Sequence, residues 1–143
     1  GTESRRVQGI TADDVRLAQQ KFVDQIVSIE MYHTRRKVWA FVDEVFDVHE
    51  VLFKPPDATE KPFRTARTGI YSYFYGDSRE FPEDTGFVKE FWEYGKFSNS
   101  GIIVEGQYAW AMGNYAFWKR TGERHEAQYT IGYALDHVGR LRI

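Results

Sequence analysis

Four short blocks hold the polar side chains of this chain best suited to chemistry. They are Val51-Leu52-Phe53-Lys54-Pro55, Ser72-Tyr73-Phe74, Ala111-Met112-Gly113-Asn114-Tyr115 and Tyr129-Thr130-Ile131-Gly132-Tyr133. Lys54, Tyr73, Asn114 and Thr130 each sit inside apolar sequence, and a polar group taken out of water costs free energy unless it is hydrogen-bonded. A shared polar pocket would satisfy them, and so would a set of separate structural hydrogen bonds. A phenol such as Tyr73 orients water and acts as a weak acid or base, or it is a core tyrosine tied to backbone. Arg64 carries the charge that an anionic product needs, or it pairs with Glu83 or Asp84. Asn114 and Thr130 face a pocket or hold a bulge, and Tyr115 and Tyr129 form pocket wall or core.

Other chemistries find less support. The chain of 143 residues has no cysteine, which removes disulfides, thiolate metal sites and a cysteine nucleophile. His33, His49, His125 and His137 read as belonging to a helix end, the start of a strand and two turns. They lack the spacing of a ligand set, so the sequence offers no zinc site and implies no bound cofactor. Glu83 and Asp84 are adjacent, which in a strand would send them to opposite faces, and in a loop they read as turn caps. Neither a Ser-His-Asp order nor a glycine-rich phosphate loop is visible. Lys plus Arg is 19 against 21 for Asp plus Glu, a formal charge of −2, and this balance gives no case for nucleic acid. No apolar run approaches the roughly 18 residues that cross a membrane.

The elements that must position these residues follow from periodicity. Residues 1–10 read as a flexible lead-in and 11–143 as one domain. Thr11 and Asp14 mark a helix start. Val15, Ala18, Phe22, Ile26 and Ile29 then form an apolar stripe that predicts a helix over about 12–33. Arg35-Arg36-Lys37 reads as a solvated turn, and a second helix follows over about 36–46. Val51 to Phe53 is a short strand ended by Pro55 and Pro56. Residues 65–75 allow a short helix running into a strand. The last third is β: Phe91 to Val104, Tyr108 to Lys119 and Arg124 to Leu135 alternate, with hairpin turns between them. Leu141 to Ile143 opens a further strand, which reads as cut short. Aromatic residues make up 17% of the chain, and small residues alternate with large ones along the strands. Together these predict an α+β fold in which a bent antiparallel sheet curls around a helix and leaves a cavity.

The order and spacing of the four blocks carry a family likeness. Phe63-Arg64, Gly69, Glu83-Asp84, Gly86-Phe87, Trp92, Phe97, Asn99, Glu126 and Leu141-Arg142-Ile143 extend it. The sequence resembles the nuclear-transport-factor-2-like superfamily of cone-shaped domains, in the branch of the calcium/calmodulin-dependent kinase association domain. Within that branch it is similar to the iota-class carbonic anhydrases over about residues 12–143. The resemblance implies reversible hydration of carbon dioxide to bicarbonate, a lyase reaction, with a water ordered among hydroxyl groups and no protein-bound metal. Other members of the class are described as metal-dependent. It implies Tyr73 as the catalytic group, with Arg64, Asn114, Thr130, Tyr115 and Tyr129 around the substrate. It further implies a homo-oligomer or a subunit of a larger assembly, in a plastid or bacterial cell. Two departures stand out. Pro56 occupies the position where the family usually has a threonine, and the His-His-Ser-Ser-type segment that follows the Arg-Ile strand in the family is not in this sequence.

Three functions remain open on these residues: a carbonic anhydrase, a non-catalytic assembly module that kept the fold, and a small-ligand binder using the cone pocket. Pro56, which offers no side-chain hydroxyl, favours the second. Tyr73, Arg64, Asn114 and Thr130 favour the first or third.

Overall fold

The computed structural model describes residues 9–143. Within them the chain runs through α1 (Ala12–Ser28), α2 (Thr34–Val45) and α3 (Arg67–Tyr75), then a short 3-10 turn at Phe87–Glu90. Strands β1 (Tyr94–Glu105), β2 (Tyr108–Trp118), β3 (Arg124–Leu135) and β4 (Leu141–Arg142) follow. They form an antiparallel meander in the order β1-β2-β3-β4. Residues 1–8 of the expected lead-in lie outside the described residues. Its last residue, Ile10, is buried, and its N–H donates to the Gly106 carbonyl at 2.8 Å.

The start of α1 is fixed by a reciprocal cap. Thr11 Oγ1 accepts from the Asp14 N–H, and the Asp14 carboxylate accepts from the Thr11 N–H. Val15, Phe22, Val23 and Ile26 face inward, and α1 lies across β1 and β2 as the apolar stripe requires. Burying each such side chain contributes about 1.5–3 kcal/mol. The helix ends at Ser28 and not near residue 33. Past Ile29 there is no apolar face left to bury, since Met31 and Tyr32 are exposed. Instead the Thr34 hydroxyl donates to the carbonyls of Glu30 and Met31 and closes a tight turn into α2. The ambiguous segment 65–75 resolves as helix. The expected strand at Val51 to Phe53 is reduced to one antiparallel bridge, in which Phe53 and Arg64 exchange both backbone hydrogen bonds.

The cone shape comes from the inward face of β2. Ala109, Ala111 and Gly113 let α1 sit close to the sheet, and Tyr115 and Phe117 then hold it off at the other end. Between Asn99 and Gly101 the β1–β2 register slips by a bulge, which bends the sheet. Gly113 faces that bulge so closely that a Cβ on it would lie 2.1 Å from the Ser98 carbonyl oxygen. β4 covers only Ala134 and Leu135, so among the described residues most of the outer edge of β3 has no strand beside it.

Candidate active site

Tyr73 lies on the buried face of α3, where Gly69, Ile70, Ser72 and Phe74 also point inward. Its ring stacks on Phe87 at 6.0 Å and meets Phe53 and Phe74 edge-on. Across the cone, Tyr115 and Tyr129 stand on the inward faces of β2 and β3 with their rings stacked 6.4 Å apart. With Phe22, Phe97 and Phe117 they wall an open cavity of about 1350 Å³. The walls around Tyr73, Tyr115 and Tyr129 are therefore aromatic, while Glu50, Lys54, Asp57, Glu126 and Gln128 also border the open space. Such a surface suits a small apolar molecule and a few ordered waters.

The phenols differ in their commitments. Tyr129 donates its hydroxyl to Asn99 Oδ1 at 2.5 Å, and Asn99 is locked to Gln19 of α1 by two amide hydrogen bonds of 2.8 Å. That hydroxyl is part of the frame. Tyr73 has a buried hydroxyl without a hydrogen-bond partner. Burial, reinforced by Tyr115 and the charge of Asp57, pushes the Tyr73 phenol well above its ordinary value. Burial and then Asp57 raise Tyr115 in the same way. The two hydroxyls lie near enough to influence each other without completing a hydrogen bond. Both phenols therefore stay protonated at neutral pH. They serve as donors and relays, and neither is a standing base.

The other expected ligands lie elsewhere. Arg64 is buried and fully engaged: Nη1 and Nη2 donate to Asp84 at 2.6 and 2.8 Å, Nη1 also to the Gly69 carbonyl, and Nε to the Lys61 carbonyl. Ser72 donates to the same carboxylate at 2.5 Å, and the guanidinium covers the Phe81 ring. Gly69 makes this possible, because a Cβ there would lie 2.9 Å from that of Arg64. Of the two readings open for Arg64, the ion pair with Asp84 is the one formed. Glu83 caps a turn, accepting from the N–H groups of Thr59, Glu60 and Lys61. Asn114 and Thr130 are exposed on the outer face of the sheet, one position out of phase with the inward Tyr115 and Tyr129. Both still border the open space that the inward tyrosines wall. Lys54 is likewise exposed. Tyr73 and Tyr115 thus come together inside the cone and Tyr129 frames them; Arg64 does not join them, and Asn114 and Thr130 border the same open space from the outer sheet face. Pro56 lines the same cavity.

Two residues were missed. His125 is not in a turn: it is the second residue of β3 and faces inward, with its ring 5.5 Å from Phe87 and 6.4 Å from Tyr115. Asp57, from the loop after Pro56, places Oδ2 3.9 Å from His125 Nε2. The signal for His125 was strand alternation, since residues 125, 127 and 129 share a face. Among the described residues no three His, Cys, Asp or Glu side chains form a group that would hold a metal ion.

Comparisons with known proteins agree on one family. The model of the metal-independent carbonic anhydrase family matches residues 13–143. A curated relative from Nostoc sp. (strain PCC 7120 / SAG 25.82 / UTEX 2576), named a metal-independent carbonic anhydrase, is 33% identical over 144 residues, covering 94% of this chain and 70% of the relative. The crystal structure of an iota-carbonic anhydrase from a cyanobacterium, complexed with bicarbonate, superposes with a TM-score of 0.89 at 30% identity. That match covers 94% of this chain and 88% of the other. A calcium/calmodulin-dependent protein kinase II association domain from Xanthomonas campestris shares the fold, with a TM-score of 0.63 at 16% identity over 94% of this chain and 83% of that one. The architecture is the nuclear-transport-factor-2-like cone.

Proposed function

We propose that this chain, which belongs to the metal-independent carbonic anhydrase family, hydrates carbon dioxide reversibly to bicarbonate in its aromatic cone cavity. The observation that carries the reading is the Tyr73–Tyr115 pair, held protonated by burial inside aromatic walls, with the Tyr73 hydroxyl free of hydrogen-bond partners among the described residues. Carbon dioxide is apolar and small, and the phenylalanine walls receive it by the hydrophobic effect. A water held by the phenols attacks its carbon. As bicarbonate forms, negative charge develops on oxygen, and neutral phenol donors stabilise that charge more strongly than they do the uncharged substrate. Arg64 is not needed for this step, because its guanidinium is spent on Asp84.

Stopped-flow hydration tests the reading. Tyr73→Phe removes one water-orienting donor and keeps the ring. The rate should fall on the order of tenfold or more. The melting temperature should hold, because no hydrogen bond of the fold ends on that hydroxyl. A wild-type rate equal to buffer would end the enzyme reading. The assembly-module reading would then stand in its place; it is favoured by Pro56, which lines the cavity without offering a hydroxyl. We also infer a homo-oligomer or a place in a larger assembly, from the apolar side chains on the outer sheet face.

A further inference from the structure

A second, smaller cavity of about 250 Å³ opens beside the cone, and Tyr73, Phe87 and Trp92 wall its inner end. His125 reaches into it. Its Nε2 is buried and makes no hydrogen bond, although the side chain as a whole keeps 27% of its surface open. The rings of Phe87 and Trp92 confine the imidazole on two sides, at 5.5 and 6.0 Å. The charged groups around this cavity are mostly engaged with one another. Glu83 caps the turn at 59–61 and Asp84 holds Arg64. Lys119 bridges Glu90 and Glu123, and Arg124 pairs with Glu126. Among the described residues Asp57 is the exception. Its carboxylate is mostly exposed, and the basic side chain near it is the His125 imidazole, with Nε2 3.9 Å away. Asp57 also acts on both Tyr73 and Tyr115 through its charge. Asp57, Tyr73 and His125 line this one cavity together, and the carboxylate faces solvent.

We propose that His125, set by Asp57, is the proton-relay residue that carries the hydration proton from the phenol pair to solvent. The inference rests on the carbonic anhydrase reading. Hydration forms one bond between the water oxygen and the carbon and breaks one O–H bond, and the proton so released has to leave the cone. The buried phenols pass it on, each hydroxyl giving up its own proton as it takes the next. They cannot keep it, because a phenol holds a second proton only as a strong acid. Imidazole is the side chain that takes up and gives back a proton near neutral pH. Neutral His125 accepts at Nε2, the carboxylate of Asp57 stabilises the imidazolium, and a buffer base at the cavity mouth removes the proton. Dehydration runs the same path backward. The residue acts through the phenols and does not touch carbon dioxide.

The test is stopped-flow hydration of carbon dioxide by the wild type, His125→Ala and His125→Gln in weak buffer, with and without millimolar imidazole. Glutamine keeps the polar shape and cannot accept a proton, so it carries the test where alanine fails to fold; circular dichroism melting checks both. The expected result is a kcat lower by about tenfold or more in both variants. kcat/KM should fall less, and added imidazole should restore most of the loss. Variants as fast as the wild type overturn the relay and leave the family activity standing. A loss shared equally by kcat and kcat/KM that imidazole leaves in place also overturns it, because a merely structural histidine gives that pattern. A wild type without activity overturns the relay and the carbonic anhydrase reading together.

Discussion

A phenol held out of water keeps its proton and offers it, and this sets what the centre of the cone can do. The Tyr73 hydroxyl is raised first by burial, then by Tyr115 and Asp57. The folded value lies above the unfolded one. Any stability linked to it is complete below the ordinary phenol value of 10.0 and is lost progressively as the pH rises from there through the higher folded value. The absorbance difference between wild type and Tyr73→Phe should therefore show no phenolate signal through the ordinary range, appearing only at more alkaline pH or on unfolding. A step near pH 10 would mean an exposed hydroxyl. Arg64 makes the opposite case, a charge spent on the fold. Removing one partner of a buried ion pair strands the other, at a cost of about 3–5 kcal/mol. Arg64→Gln should show that loss in denaturant melts. Asn114→Ala should move hydration by no more than about twofold, as surface substitutions do. Its neighbour Tyr115 already told the story in the sequence: adjacent strand residues face opposite ways, so Asn114 cannot share the inward face of Tyr115, nor Thr130 that of Tyr129. The same alternation would have brought His125 inside. The Arg64–Asp84 pair was legible only as one of two options, since its members stand 20 positions apart across loop and helix.

At the scale of elements, the join between α1 and the sheet is where polar and steric precision meet. The Gln19–Asn99 amide pair ties the helix to the bulge of β1, and Gly113 opposite leaves room for the Ser98 carbonyl. Gly113→Ala forces that carbonyl or the strand to move, and overpacking of this kind costs about 1–3 kcal/mol or more. Thermal melts should show it, and an unchanged midpoint would mean the bulge yields freely. The loop over the cone has its own anchor. The Glu83 carboxylate lies below the usual range because the N–H groups of Lys61 and Thr59 point at it. A carboxylate depressed on folding adds stability above its unfolded pKa of about 4.5, and loses it as the pH falls through the lower folded value. Glu83→Gln should therefore reduce the dependence of stability on pH in that acid window and leave it alone near neutrality. The first two helices and the hairpins were legible in type from apolar periods near 3.6 and 2, but not in every bound: Arg35-Arg36-Lys37, read as a turn, lies in the first turn of α2, and β1 begins at Tyr94 and not at Phe91. The end of α1 was not legible either, because the stripe from Val15 to Ile29 stops without a glycine or proline to mark it.

At the scale of the molecule, the meander and its covering helix followed from periodicity, while the way loops 51–66 and 76–90 fold over the cone did not. Those segments hold their shape through long-range contacts such as the Phe53–Arg64 bridge and the Glu83 cap, and no local pattern announces them. What alternation does announce is the outer face. Ile103 pairs with Trp110 across β1 and β2, Met112 and Tyr108 flank Trp110, and all four are exposed. Trp110 also lies over Gly132 of β3, so the apolar strip crosses three strands of the sheet. A strip of this kind on an open sheet face is costly to leave in water and marks an interface. In the homo-oligomer proposed above, a second copy of the chain would cover it by two-fold symmetry, since each copy brings the same strip. Sedimentation equilibrium should then give a multiple of 16.8 kDa. Trp110→Arg should shift the mass toward the monomer, because a guanidinium at the centre of the strip would be buried without a partner. A monomer at every concentration would count against the self-pairing. A wild-type oligomer unmoved by Trp110→Arg would place the interface elsewhere on the cone.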